Sequence, residues 1–93
     1  SANMGGCYMA IVYGFGGFRV YEDHIELAPY LPKKWNEYCF RLTYLDSVIQ
    51  VSVSKGMCTI THIKGKHAVA LELYGDRYDL KPKAEIKADL REN

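Results

Sequence analysis

From Phe18 to Tyr74, apolar residues recur at every second position, and short runs of glycine, proline, aspartate and lysine interrupt them. A period of two sends alternate side chains to opposite faces of an extended chain, one for a core and one for water. Phe18 and Val20 alternate with Arg19 and Tyr21, and Ile25 and Leu27 with His24 and Glu26. Glu22-Asp23 then reads as the turn of a hairpin. Further strands are predicted over 37–45 (Tyr38, Phe40, Leu42, Tyr44 on one face), 47–54 (Ile49, Val51, Val53) and 57–63 (Cys58, Ile60). Another is predicted over 67–74 (Val69, Leu71, Leu73), with a short last strand at 78–80. The breaks fall at Asp46, Lys55-Gly56, Lys64-Gly65-Lys66 and Gly75-Asp76. Short strands at such regular spacing predict an all-β fold: a small, two-layered, jelly-roll-like antiparallel sandwich rather than βαβ units.

The two ends do not follow this pattern. Met4 to Tyr13 is apolar almost throughout and does not alternate. A segment apolar on all sides wants burial on all sides, more than a chain this small offers. It reads as the end of a helix left from a preceding helical barrel, with a buried strand as the alternative. Gly14, Gly16 and Gly17 follow and, with Arg19, form a structural hinge between that segment and the first hairpin. Pro82 to Asn93 is charged and weakly patterned, which suggests a frayed tail or a short helix. The expected organisation is a helix end over 1–13, a β-sandwich over 14–81 and a charged tail over 82–93. The apolar segment and the absence of an initiator Met before Ser1 both suit a part of a longer protein.

Composition narrows the function classes. The 93 residues suit one domain, and 48% hydrophobic content suffices for a core. With 12 basic and 11 acidic side chains the net charge is +1, so neither nucleic acid nor an anionic membrane is attracted. No apolar run is long enough to span a bilayer, and no signal-peptide pattern occurs. Cys7, Cys39 and Cys58 are odd in number and widely spaced, so reduced, buried cysteines in a cytoplasmic protein are expected.

The chemistry-bearing residues form no catalytic pattern. Gly14-Phe15-Gly16-Gly17-Phe18-Arg19 lacks the third glycine of a dinucleotide fingerprint and the following helix that would hold a phosphate. Cys58 and His62 share a strand face, but two donors are not a metal site, and no metal is expected. No G-x-S-x-G or supported cysteine nucleophile occurs. Glu22, Asp23 and Glu26 cluster at a hairpin tip, where carboxylates are ordinarily solvated. Tyr21, Tyr30 and Trp35, near the Pro29–Lys34 loop, are candidate sugar-stacking rings. The favoured reading is structural: Trp35 seals one end of a sandwich and the tyrosines keep their hydroxyls in water.

Several segments together resemble a known family. These are Met4-Gly5-Gly6, the run through Val12-Tyr13-Gly14-Phe15-Gly16-Gly17-Phe18-Arg19, Ile25-Glu26-Leu27-Ala28-Pro29-Tyr30-Leu31-Pro32-Lys33-Lys34-Trp35, and Phe40-Arg41-Leu42-Thr43-Tyr44. In that order they are similar to the junction and C-terminal domain of glycoside hydrolase family 65, which includes maltose, trehalose and kojibiose phosphorylases. The resemblance covers roughly residues 4 to 75. It implies a non-catalytic C-terminal domain attached to an (α/α)6 catalytic barrel, its partner. It implies a parent reaction of inverting phosphorolysis of an α-linked glucose disaccharide to β-glucose 1-phosphate, with inorganic phosphate as substrate and no cofactor. The barrel glutamate that acts as acid and the phosphate-binding histidine would lie outside this chain. A stand-alone carbohydrate-binding module is the alternative. Apolar surface left by a missing barrel would allow a homodimer.

Overall fold

The computed structural model describes the backbone of Tyr8–Met9 and residues 17–91. Nine strands occur among these residues: β1 Tyr8–Met9, β2 Arg19–Val20, β3 Ile25–Leu27, β4 Glu37–Tyr44, β5 Ser47–Ser54, β6 Met57–Lys64, β7 Val69–Leu73, β8 Asp76–Leu80 and β9 Glu85–Asp89. They form two sheets, a five-stranded one in the order β1-β4-β5-β6-β9 and a four-stranded one in the order β2-β3-β7-β8. The small all-β sandwich expected from the alternation is therefore present.

Its core is built from the predicted faces. Tyr38, Phe40, Leu42 and Tyr44 of β4, Ile49, Val51 and Val53 of β5, and Cys58 and Ile60 of β6 are buried. Ile25 and Leu27 of β3 and Val69, Leu71 and Leu73 of β7 meet them from the other sheet. The β4-β5-β6 meander pairs antiparallel with continuous register, broken once by an irregularity at Val48/Ile49. Phe18 stacks on Phe40 with ring centres 5.6 Å apart, so the start of the hairpin is pinned to the centre of the core.

Three tyrosines tie loops to the layers. Tyr44 Oη donates to the Glu22 carbonyl at 2.9 Å, Tyr38 Oη to the Tyr30 carbonyl at 2.8 Å, and Tyr74 Oη to the Pro29 carbonyl. Each ring contributes apolar area while its hydroxyl satisfies a loop carbonyl that would otherwise be costly to cover.

Some expectations are corrected. Tyr8–Met9 is a strand, parallel to β4 through Tyr8↔Phe40 and Met9↔Arg41, the alternative to a helix end; the rest of 1–13 lies outside the described residues. The sheets are not wholly antiparallel, because β3 also pairs parallel with β7. The region assigned to a charged tail contains β9, antiparallel to β6 through Ile60↔Ile86 and its neighbours. Ile86, Ala88 and Leu90 pack partly against the core while Glu85, Lys87 and Asp89 face out. Cys39 is disulfide-bonded, which overturns the expectation of reduced cysteines and with it the thiol argument for a reducing compartment. Among the described residues Cys58 is the free cysteine, and it is buried. Among those same residues no helix is long and apolar enough to cross a membrane.

Candidate functional site

The polar face of the four-stranded sheet carries the densest group of chemistry-bearing residues. Register makes it so. Arg19 of β2 lies opposite Glu26 of β3, Glu26 opposite Glu72 of β7, and Glu72 opposite Arg77 of β8. One row across four strands thus reads Arg-Glu-Glu-Arg. Two like charges directly opposite each other destabilise a sheet, so the central glutamates need cationic neighbours. Arg77 Nη2 supplies one, 3.3 Å from Glu72 Oε2.

His24 supplies the other. The Tyr21 N–H donates to the His24 carbonyl at 2.9 Å, which closes the β2–β3 turn and sets the imidazole beside the row. His24 Nδ1 is 2.7 Å from Asp23 Oδ1, and His24 Nε2 is 3.2 Å from Glu26 Oε2 and 3.9 Å from Glu72 Oε2. The Tyr21 ring stacks on the imidazole at 4.6 Å and 9°. The His24 side chain is only 14% exposed. Its hydrogen bond to Asp23, then that to Glu26, hold the imidazole above its ordinary value, and the same bond from His24 holds Asp23 below its own. His24, Glu26 and Glu72 each offer one ligand atom, all within 4.8 Å of one another. They are the one such set of three among the described residues.

Beside this row lies an open groove of about 590 Å³, lined by Phe18, Arg19, Glu26, Leu27, Glu72 and Tyr74 among others. Gly17 borders it with φ +52°, and a Cβ there would lie 2.6 Å from the Ala28 carbonyl oxygen. The Ala28 N–H donates to the Gly17 carbonyl at 3.1 Å, so this glycine allows a backbone approach that no other residue fits. Arg19 is exposed in β2. Gly14 and Gly16 lie outside the described residues, so of the proposed hinge the structure describes Gly17 and Arg19.

The three candidate sugar-stacking rings are placed differently from one another. Tyr21 is 40% exposed and lies on His24. Trp35 is half-buried and meets Tyr38 edge-on at 6.1 Å. Tyr30 is half-buried and lines a second groove, of about 540 Å³, with Leu31, Pro32, Lys33, Lys55 and Arg91; neither Tyr21 nor Trp35 lines it. Cys58 and His62 both point into the core. His62 Nε2 lies 2.8 Å from the His67 carbonyl and donates to it, while Nδ1 has no partner. Glu26 and Glu72 do not have the spacing of an inverting glycosidase pair, since their ligand atoms lie within 4.8 Å. An inverting pair stands roughly 6.5–9.5 Å apart to admit the nucleophile.

Glu26 and Arg19 stand out in the sequence, as a hairpin carboxylate and a hinge residue, whereas Glu72 and Arg77 do not. His24-x-Glu26 was visible as two donors on one strand face. Glu72 is brought in only by the parallel β3–β7 pairing.

Residues 18–80 match the family described as glycosyl hydrolase family 65, C-terminal domain. The chain is 43% identical over 79 residues to an alpha,alpha-trehalose phosphorylase of Geobacillus stearothermophilus, covering 85% of this chain and 10% of that protein. It is 38% identical over 64 residues to a maltose phosphorylase of Bacillus subtilis (strain 168), covering 69% of this chain and 8% of that protein. A solved structure of a kojibiose-phosphorylase-like protein from human microbiome superposes with a TM-score of 0.71 at 39% identity, over 83% of this chain and 10% of that one. The chain therefore spans about a tenth of the length of these relatives.

Proposed function

This chain belongs to glycosyl hydrolase family 65, as its C-terminal domain, and on that premise we propose that it serves a disaccharide phosphorylase as a non-catalytic accessory domain. The observation that carries the proposal is coverage: a family 65 C-terminal domain accounts for residues 18–80 here, while the relatives are about ten times longer. In this reading the domain packs against the catalytic barrel of its parent chain. The parent performs inverting phosphorolysis of an α-linked glucose disaccharide to β-glucose 1-phosphate, with inorganic phosphate as co-substrate and no cofactor. The carboxylates on the polar sheet face are already engaged by His24 and Arg77, which supports a non-catalytic role. The chain is to be incubated with maltose, trehalose or kojibiose and phosphate, and glucose 1-phosphate measured. No turnover is expected; release of glucose 1-phosphate above the buffer rate overturns the reading.

A second reading, a carbohydrate-binding module, draws on the exposed Tyr21 ring. Oligosaccharide titration followed by Trp35 and tyrosine fluorescence tests it, and an unchanged spectrum at high sugar removes it. A homodimer would use exposed apolar residues such as Val20, Leu45 and Met57. Sedimentation showing a monomer at all concentrations removes that possibility.

A further inference from the structure

The geometry points to a binding site for one zinc-class divalent cation on the polar face of the four-stranded sheet, with His24 Nε2, Glu26 Oε2 and Glu72 Oε2 as ligands. The inference rests on the arrangement of these side chains and not on the family reading. Ligands at 2.0–2.2 Å around a tetrahedral ion are roughly 3.4 Å apart. His24 Nε2 and Glu26 Oε2 are already 3.2 Å apart. Glu72 Oε2, 3.9 Å from Nε2, has to close by about half an ångström, within the reach of a side chain released from Arg77.

The surroundings favour a ligand role for His24. Asp23 Oδ1 holds Nδ1 at 2.7 Å, so when a cation displaces the Nε2 proton now shared with Glu26, the Nε2 lone pair faces the two glutamates. Carboxylate–histidine–metal relays use this arrangement to set the tautomer and raise the basicity of the ligand. The Tyr21 ring stacked at 4.6 Å limits rotation of the imidazole. Neutral imidazole with two carboxylates carries a charge of −2, which a divalent ion cancels, removing the repulsion between Glu26 and Glu72. A mixed nitrogen and oxygen donor set suits Zn²⁺, Co²⁺ or Ni²⁺, whereas Ca²⁺ and Mg²⁺ favour all-oxygen shells. Three protein ligands leave a fourth position for water. The ion would bridge β3 and β7, the parallel joint between the first hairpin and the β7–β8 pair.

Calorimetric titration of the metal-free chain with Zn²⁺ at pH 7.5 tests the site. One ion per chain is expected, with a rise in melting temperature of about 10 °C at a hundredfold excess over Kd. His24→Ala and Glu72→Gln should each weaken binding about tenfold or more, and Asp23→Asn roughly tenfold. Arg77→Ala should tighten binding, because it frees Glu72; a purely structural ion-pair network would show no such gain. His67→Ala should leave binding unchanged. Circular dichroism confirms that each variant is folded, and Glu72→Gln stands in if His24→Ala is not. Absence of 1:1 binding at millimolar Zn²⁺, or binding that survives Glu72→Gln and His24→Ala undiminished, overturns the proposal.

Discussion

The guanidinium of Arg91 lies 4.8 Å from the centre of the Tyr74 ring, and the Arg91 N–H donates to Tyr74 Oη at 3.2 Å. Tyr74 follows β7 of the four-stranded sheet and Arg91 follows β9 of the five-stranded sheet, so this pair joins the two layers. Arg91→Ala should cost about 0.5–1 kcal/mol, as an exposed cation–π contact does. Tyr74→Phe keeps the ring and leaves the Pro29 carbonyl without its donor, at about 1–2 kcal/mol. Urea unfolding of Arg91→Ala, Tyr74→Leu and the double variant should give a non-additive cycle, because leucine removes the ring under the guanidinium; strict additivity would show that the two side chains are not coupled.

Ending the chain after Ala84 should expose the edge of β6. It removes the β6–β9 ladder and the partly buried Ile86, Ala88 and Leu90. Burial of those side chains suggests a loss of about 2–4 kcal/mol. The uncovered edge should also promote association that grows with concentration. An unchanged urea midpoint would show that the last strand adds nothing.

Gly65 and Gly56 should respond differently to alanine. Both have positive φ, +129° and +84°. A Cβ at Gly65 would lie 2.5 Å from Ser47 Oγ and 3.1 Å from His62 Cε1, whereas at Gly56 it would meet nothing within 4 Å. Gly56→Ala should cost about 1 kcal/mol from backbone strain alone. Gly65→Ala adds a clash against the buried Ser47 and His62, and its melting temperature should fall clearly further. Equal losses would contradict the packing around Gly65.

Phe40 sits at zero exposure between Phe18 and Tyr38, with ring centres 5.6 and 6.2 Å away. Phe40→Ala should cost about 3–5 kcal/mol, through lost burial and an unfilled cavity. Chemical denaturation measures it, and a loss below about 1 kcal/mol would place Phe40 outside the core.

Burial pushes the Tyr38 phenol well above its ordinary value, and the neutral phenol is also the form that donates to the Tyr30 carbonyl. The neutral phenol is the form that the fold favours. Its contribution is therefore complete below the ordinary phenol range near pH 10, and is lost as pH rises towards the higher folded value. Alkaline unfolding of the native chain should show this loss and that of Tyr38→Phe should show less of it. Ultraviolet titration should find Tyr38 ionising only with unfolding.

β4 and β5 were legible because each carries three or four strong apolar side chains at period two, as in Tyr38-Phe40-Leu42-Tyr44, and β6 because Cys58 and Ile60 alternate with threonines. β9 escaped because its inward set is Ile86, small Ala88 and Leu90 among charges, a signal too weak without the β6 edge it completes. Tyr8–Met9 stayed undecided between helix end and strand because a segment apolar on every side has no period to read, and its parallel pairing with β4 is a long-range choice. Local alternation thus determined the all-β class, the core faces and most turns, because it depends on neighbours along the chain. The Arg19-Glu26-Glu72-Arg77 row and the meeting of His24 with Glu72 were decided by tertiary structure alone. A parallel pairing between strands more than forty residues apart leaves no mark on either strand until both are hydrogen-bonded.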